Sequence, residues 1–252
     1  QMGYKRSKYF LTSNKRKIKY LFLNTKSQIT VVFFHGFMSD MVGKKPKTIQ
    51  KFCMKKKIGF MKFEYSGHGK SSGKFIEGNI SKWTNQVKIV IKKIVKKNDF
   101  ILVGSSMGAW LSINQFKFFK NQIKGFLAIG SAPEFLERLM WKKFTKKMKK
   151  EIKKKGITKY SSFGLSYYIR KNFFIDARKN KVLNKFYRYN KPLILIHGLK
   201  DNIVSSEVPK KILKKVTSKK IQIILSKNSD HRLSSKKDLQ TLVSAIDIVR
   251  YD

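Results

Sequence analysis

The feature that most constrains this chain is the apolar run Phe100-Ile101-Leu102-Val103, which ends in Gly104-Ser105-Ser106-Met107-Gly108 and is followed by Trp110, Leu111, Ile113 and Phe116 at helical spacing. A buried strand that enters a glycine-flanked turn and leaves it as a helix is the repeating step of a parallel sheet with crossover helices. The alternation recurs along the chain. Residues 17–23 read as an edge strand, 29–34, 59–65, 99–103, 125–129, 192–197 and 220–225 as further strands, and about 80–97, 206–216 and 236–249 as helices. The expected class is α/β, with a mostly parallel central sheet flanked by helices. The 252 residues are expected to form one domain, 1–252, without internal repeats.

Between the strand ending near Ile129 and the one opening at Pro192 lie about 60 residues, where a parallel crossover needs only roughly a dozen. This excess, 131–190, reads as a helical cap inserted before the penultimate strand, over the carboxyl edge of the sheet where ligands bind in open α/β folds. Its first part carries Leu136, Met140, Phe144, Met148 and Ile152 at four-residue spacing. Such a stripe winds by about 40° per step on an α-helix, so the pattern fits one long helix or two short ones. The apolar side is expected to face down onto the sheet; an interfacial membrane helix is the alternative. An apolar pocket is expected under Trp141, Phe144 and Phe163.

A serine hydroxyl is a weak nucleophile near neutral pH and needs a base, an acid to orient that base, and donors for the oxyanion. Ser106 has glycines two residues before and two after it, the flanks a sharp strand-to-helix turn requires, and Ser105 lacks them. On such a turn the nucleophile is followed in chain order by its acid and then its base. Of the four histidines, His35 and His68 precede Ser106, and His197 ends a strand with no better acid before it than those of the lysine-rich cap. His231, after the last strand, is therefore the expected base. Asp201 lies on the loop after the penultimate strand and is the expected acid; Asp230 is too close in sequence to His231 to reach the far ring nitrogen and reads as a loop cap. The backbone N–H groups of Met107 and of Phe37, in the turn opened by His35-Gly36, are the expected oxyanion donors.

The formal charge of +44 points first to nucleic acid or anionic membranes. Fifty of the fifty-eight basic residues are lysine, however, and they are spread along the whole chain. Recognition of phosphate geometry favours arginine's planar fork, so weak, salt-dependent binding to polyanions is expected, with no specific nucleic-acid partner. Cys53 is the only cysteine, which excludes an internal disulfide and a cysteine-based metal site. No signal peptide or transmembrane helix is read, since the longest apolar run, around 29–37, falls far below the ~20 residues of a span. A cytoplasmic location is expected. Gly69-Lys70-Ser71 resembles the end of a phosphate loop, but the glycine required five residues before Gly69 is Glu64. No H-E-x-x-H or comparable spacing occurs, and neither metal nor cofactor is expected.

Five segments together carry a resemblance: Phe34-His35-Gly36-Phe37; the stretch 63–73 through Ser66-Gly67-His68-Gly69-Lys70-Ser71; 101–111 around Ser106; Ile196-His197-Gly198-Leu199-Lys200-Asp201 through Val204; and Ser229-Asp230-His231-Arg232. Over about 31–248 the chain resembles the branch of the α/β-hydrolases that contains the mitochondrial palmitoyl-protein thioesterase, also described as an acyl-glucuronide esterase. That resemblance implies an α/β-hydrolase fold, cleavage of esters or thioesters through an acyl-enzyme, a Ser106, Asp201 and His231 triad, and an oxyanion hole at Phe37 and Met107. Eukaryotic members of the branch carry proline where this chain has His35, and their caps are poorer in lysine; because no presequence is read, a bacterial cytoplasmic relative is expected. Two other readings remain open: an esterase of the monoacylglycerol lipase or lysophospholipase kind, and a lysine-rich anion- or membrane-binding protein without activity.

Overall fold

The computed structural model describes residues 7–12, 15–162 and 164–251. Eight strands form one sheet: β1 (Lys8–Leu11), β2 (Lys17–Leu23), β3 (Ile29–Phe34), β4 (Gly59–Phe63), β5 (Asp99–Ser105), β6 (Ile123–Ile129), β9 (Leu193–Gly198) and β10 (Ile221–Ser226). Their spatial order is β1-β2-β4-β3-β5-β6-β9-β10. Pairing is parallel from β4 through β10, and β2 joins β4 antiparallel. Strands β3, β5, β6 and β9 are buried on both faces, which is why they read as continuous apolar runs and not as alternating ones.

The stretch 17–23 is not the edge. β1 pairs with it antiparallel, from Lys8 opposite Tyr20 to Leu11 opposite Lys17. β1 has four residues, is largely exposed and carries no burial alternation, so periodicity alone does not reveal it. The helix α1 (Lys44–Lys56) also lies outside the elements expected from the sequence. It buries only the narrow stripe Pro46, Ile49 and Cys53, and lysines occupy much of the rest.

Helices cover both faces. α1 and α8 (Lys236–Tyr251) pack Ile49, Cys53, Ile246 and Val249 on one side. α2 (Ile80–Ile94), α3 (Met107–Gln115) and α7 (Glu207–Leu213) pack Trp83, Val87, Trp110, Leu111 and Ile212 on the other.

The cap follows β6. A π-helical turn at Leu136–Met140 runs into α4 (Trp141–Lys143), and Phe144 then turns extended with ψ 133°. Thr145 caps α5 (Lys146–Lys155) by accepting the Met148 N–H at 3.2 Å. The four-spaced stripe is thus divided between two helical pieces, as its winding requires. The cap is not wholly helical: β7 (Ile157–Ser162) and β8 (Leu165–Arg170) form an antiparallel hairpin before α6 (Lys171–Lys179). Its β-branched and aromatic residues around Gly164, whose φ is 73°, carried that signal. Glu134 ties the two ends of the insertion together. Its buried carboxylate accepts the N–H groups of Val182 at 3.1 Å and Leu183 at 2.7 Å.

Candidate active site

β5 ends at Ser105 and α3 begins at Met107, leaving Ser106 alone on the turn with φ 56° and ψ −117°. This is a left-handed conformation that an L side chain adopts only when its surroundings enforce it. The Ser106 N–H donates to the Ile129 carbonyl at 2.9 Å, and the Ser106 carbonyl accepts from Ala109 and Ala132. The flanking glycines are dictated by close approach. A Cβ on Gly108 would lie 2.1 Å from the Phe34 carbonyl oxygen, and one on Gly104 would lie 2.6 Å from the Ala109 backbone. Gly108→Ala must therefore displace backbone and not merely a side chain. It is expected to lower stability by about 3 kcal/mol, the upper end of ordinary overpacking, as read from the urea midpoint.

The loop after β10 carries His231 over this turn. Ser106 Oγ lies 3.0 Å from His231 Nε2, and His231 Nδ1 lies 2.7 Å from Asp201 Oδ2. Asp201 sits on the loop after β9, its side chain fully buried, and its other oxygen accepts the N–H groups of Ile203 at 2.9 Å and Val204 at 2.8 Å. Burial pushes this carboxyl up, but hydrogen bonds from His197, His231 and Val204 outweigh it and hold the group well below the usual carboxylate range. Asp201 is thus an anion facing an imidazole. Asp230 instead accepts the Arg232 and Leu233 N–H groups on one carboxylate oxygen, capping the loop.

His197 is fully buried at the end of β9. Its Nε2 donates to the Val204 carbonyl at 2.8 Å and lies 3.3 Å from Asp201 Oδ2, so it braces the turn that holds the carboxylate.

On the other side of Ser106, β3 leads into His35-Gly36-Phe37. A Cβ on Gly36 would stand 3.5 Å from Ser106 Cβ, so the backbone here passes beside the serine. His35 is buried; burial and then the neighbouring His68 push its pKa well below the ordinary value, and as a neutral ring it donates from Nδ1 to the Gly36 carbonyl at 2.7 Å. Tyr65 Oη donates to the His35 carbonyl at 2.8 Å. The Phe37 N–H takes no partner among the described residues, and the Met107 N–H is one of the unpaired donors that open α3. Phe37 itself packs edge-on against Phe75, Phe135 and Tyr167. Glu64 supports the loop from below, accepting the N–H groups of Met41 at 3.2 Å and Lys70 at 3.0 Å.

A cavity of about 550 Å³ opens beside Ser106 and His231, walled under the cap by Phe135, Leu139, Met140, Tyr160 and Tyr167.

The family described as serine aminopeptidase S33 (Hydrolase_4) matches residues 25–162. The mitochondrial palmitoyl-protein thioesterase ABHD10 of Pongo abelii is 33% identical over 221 residues, which are 86% of this chain and 71% of that protein. The chain belongs to this family of α/β-hydrolases. Its human counterpart in the comparison, the same mitochondrial thioesterase of Homo sapiens, is 32% identical over the same share of each chain. Mouse α/β-hydrolase domain-containing protein 10 superposes with a TM-score of 0.87 at 28% identity, covering 97% of this chain and 98% of the other. An Agrobacterium vitis structure gives a TM-score of 0.90 at 25% identity, covering 97% and 98%. The chain is accordingly an enzyme, a hydrolase of the ABHD10-like branch, and no described helix is long and apolar enough to cross a membrane.

In this α/β-hydrolase two expected pocket residues lie elsewhere. Trp141 and Phe144 do not line the cavity; their rings pack on each other and on Phe174, inside the cap. The reason is the break at Phe144, which turns that side chain into the cap's own core, 4% exposed. Phe163 lies outside the described residues. The wall is supplied instead by Leu139 and Met140 of the π-turn, and by Tyr160 and Tyr167 of the hairpin. Both tyrosines stand on the hairpin, which helical spacing in the cap does not reveal. Trp141→Ala is expected to lower stability by about 3 kcal/mol through the cap core, with a smaller effect on turnover than Tyr167→Ala, as a comparison of melting and kcat/KM checks.

Proposed function

We propose that this hydrolase cleaves carboxylic esters and thioesters, with Ser106 as nucleophile, His231 as general base and then acid, and Asp201 as the orienting acid. The observation that carries the reading is the continuous relay from Ser106 Oγ through His231 Nε2 and Nδ1 to Asp201, at 3.0 Å and 2.7 Å, on a strained turn that holds the hydroxyl at the cavity. Ser106 Oγ attacks the acyl carbonyl as its proton passes to Nε2; Nε2 returns that proton to the departing alcohol or thiol. Water, deprotonated by the same nitrogen, then releases the acid from the acyl-enzyme. The Phe37 and Met107 N–H groups take the oxyanion, supported by their freedom from other partners and by the passage of Gly36 beside Ser106. The ABHD10 relatives are named palmitoyl-protein thioesterases, and the aromatic and aliphatic cavity wall suits an acyl chain.

The test is a fluorophosphonate label mapped by peptide mass spectrometry, combined with turnover of short and long p-nitrophenyl esters, acyl-CoA and an S-palmitoylated peptide. The label is expected on Ser106. Hydrolysis that persists after complete labelling of Ser106 would overturn the assignment.

A further inference from the structure

The cavity is lined by cations as well as by apolar side chains. The start of α1 meets the turn after His231, and there the lining includes Lys44, Lys45 and Arg232. The Lys45 ammonium reaches across and donates to the Arg232 carbonyl, joining the two segments. Asp40 is the one carboxylate of the described lining, and it is engaged by the Val42 N–H at 2.8 Å. None of the three cations has a described carboxylate within ion-pair distance.

Lys45 differs from the solvated lysines that account for the net charge of +44. Burial pulls its pKa down to about 8, with Asp230 and Asp238 opposing from a distance and Arg232 adding to the fall. A lysine-rich composition explains lysines in water. It does not explain one drawn partly out of water, next to another cation and without a contacting carboxylate, an arrangement that is unfavourable unless an anion completes it.

The order of the reaction says which part of a substrate meets this corner. His231 Nε2 hands its proton to the leaving group, and the loop that carries His231 also carries Arg232 and is held by Lys45, so the loop that delivers the proton is the one that brings these cations to the cavity. With Lys143 of the cap, four cations line the cavity against one occupied carboxylate, a surplus that matches a dianion better than a single carboxylate. Lys45 retains two ammonium protons beyond the one given to Arg232, and the Arg232 guanidinium offers a planar fork. We propose that Lys44, Lys45 and Arg232 form a subsite for a phosphate carried by the leaving group, so that the favoured substrates are acyl esters and thioesters of phosphorylated alcohols and thiols. The inference rests on the catalytic reading above.

The experiment compares kcat/KM for S-octanoyl-pantetheine and S-octanoyl-4′-phosphopantetheine, which differ only in the phosphate, with p-nitrophenyl octanoate as a neutral ester. Salt near ~0.15 M screens attraction from remote lysines. The phosphorylated thioester is expected to be favoured about tenfold or more, the scale of one charge-assisted contact. That ratio should fall toward one in Lys45→Gln and in Lys44→Gln, whose exposed side chain leaves folding intact if the first variant fails to fold. It should persist in Lys150→Gln, an exposed lysine of α5 that changes net charge equally. A ratio of one in the unmodified enzyme overturns the subsite, as does a ratio that Lys150→Gln lowers as much as Lys44→Gln. Failure of the catalytic reading is separate and visible: p-nitrophenyl octanoate would then be turned over independently of Ser106.

Discussion

Replacing Ser106 with alanine is expected to lower kcat for an acyl ester by about 10⁶-fold, the scale of losing the nucleophile from a triad that acts as a unit. No neighbouring hydroxyl is placed to substitute. Ser105 is the last residue of β5 and largely buried, and His231 Nε2 addresses the Ser106 Oγ at 3.0 Å. The same position stores backbone strain, since φ of 56° and ψ of −117° suit glycine far better than serine. Ser106→Gly is therefore expected to be inactive and yet more stable by about 1 kcal/mol or more, the cost a strained residue imposes. Single-turnover kinetics and urea unfolding check the pair. A Ser106→Ala enzyme that retains a tenth of wild-type turnover would sink the mechanism.

The second large effect is at Asp201. Asp201→Asn preserves shape but is expected to reduce kcat by about 10⁴-fold, through the histidine tautomer. One carboxylate oxygen is pinned by the N–H groups of Ile203 and Val204 and the other faces His231 Nδ1. An asparagine must keep its carbonyl on the two backbone donors, which turns its NH₂ toward Nδ1. That nitrogen must then accept, the ring proton moves to Nε2, and Nε2 can no longer take the proton of Ser106. Unchanged kcat in a folded Asp201→Asn enzyme would remove Asp201 from the relay. Stability gives a second readout. Because the folded carboxyl is held below its unfolded value near ~4, its contribution is present above that pH and lost as pH falls through the depressed folded value. Wild-type enzyme is thus expected to lose more stability than Asp201→Asn as the pH is lowered below ~4, measured by urea midpoints across the acid range.

Much of this architecture is legible in one sequence because it depends on local rules. Double-sided burial makes β3, β5, β6 and β9 continuous apolar runs, and the turn at Ser106 announces itself through two glycines whose Cβ atoms would meet backbone. Chain order then selects Asp201 and His231. Three elements escaped. β1 is too short and exposed to show a period; α1 hides its stripe of Pro46, Ile49 and Cys53 among lysines; and the hairpin of β7 and β8 sits in an insertion where helical spacing dominates. The error at Trp141 and Phe144 has the same origin, since an apolar side chain in a cap faces either substrate or the cap's own core, and spacing does not distinguish them.

The sequence by itself determined seven strands of the central sheet and the glycine-flanked turn at Ser106, and it singled out Asp201 and His231, which the fold brings into line with Ser106. Each of these follows from the short-range geometry of a strand, a turn or a loop at a strand's end. Only the tertiary structure decided that Leu139, Met140, Tyr160 and Tyr167 form the apolar wall and that Lys44, Lys45 and Arg232 share a corner of the cavity. The second grouping joins residues more than a hundred positions apart, Lys45 and Arg232, and the first joins a π-turn to a hairpin; both arise from how the helices and the cap settle on the sheet.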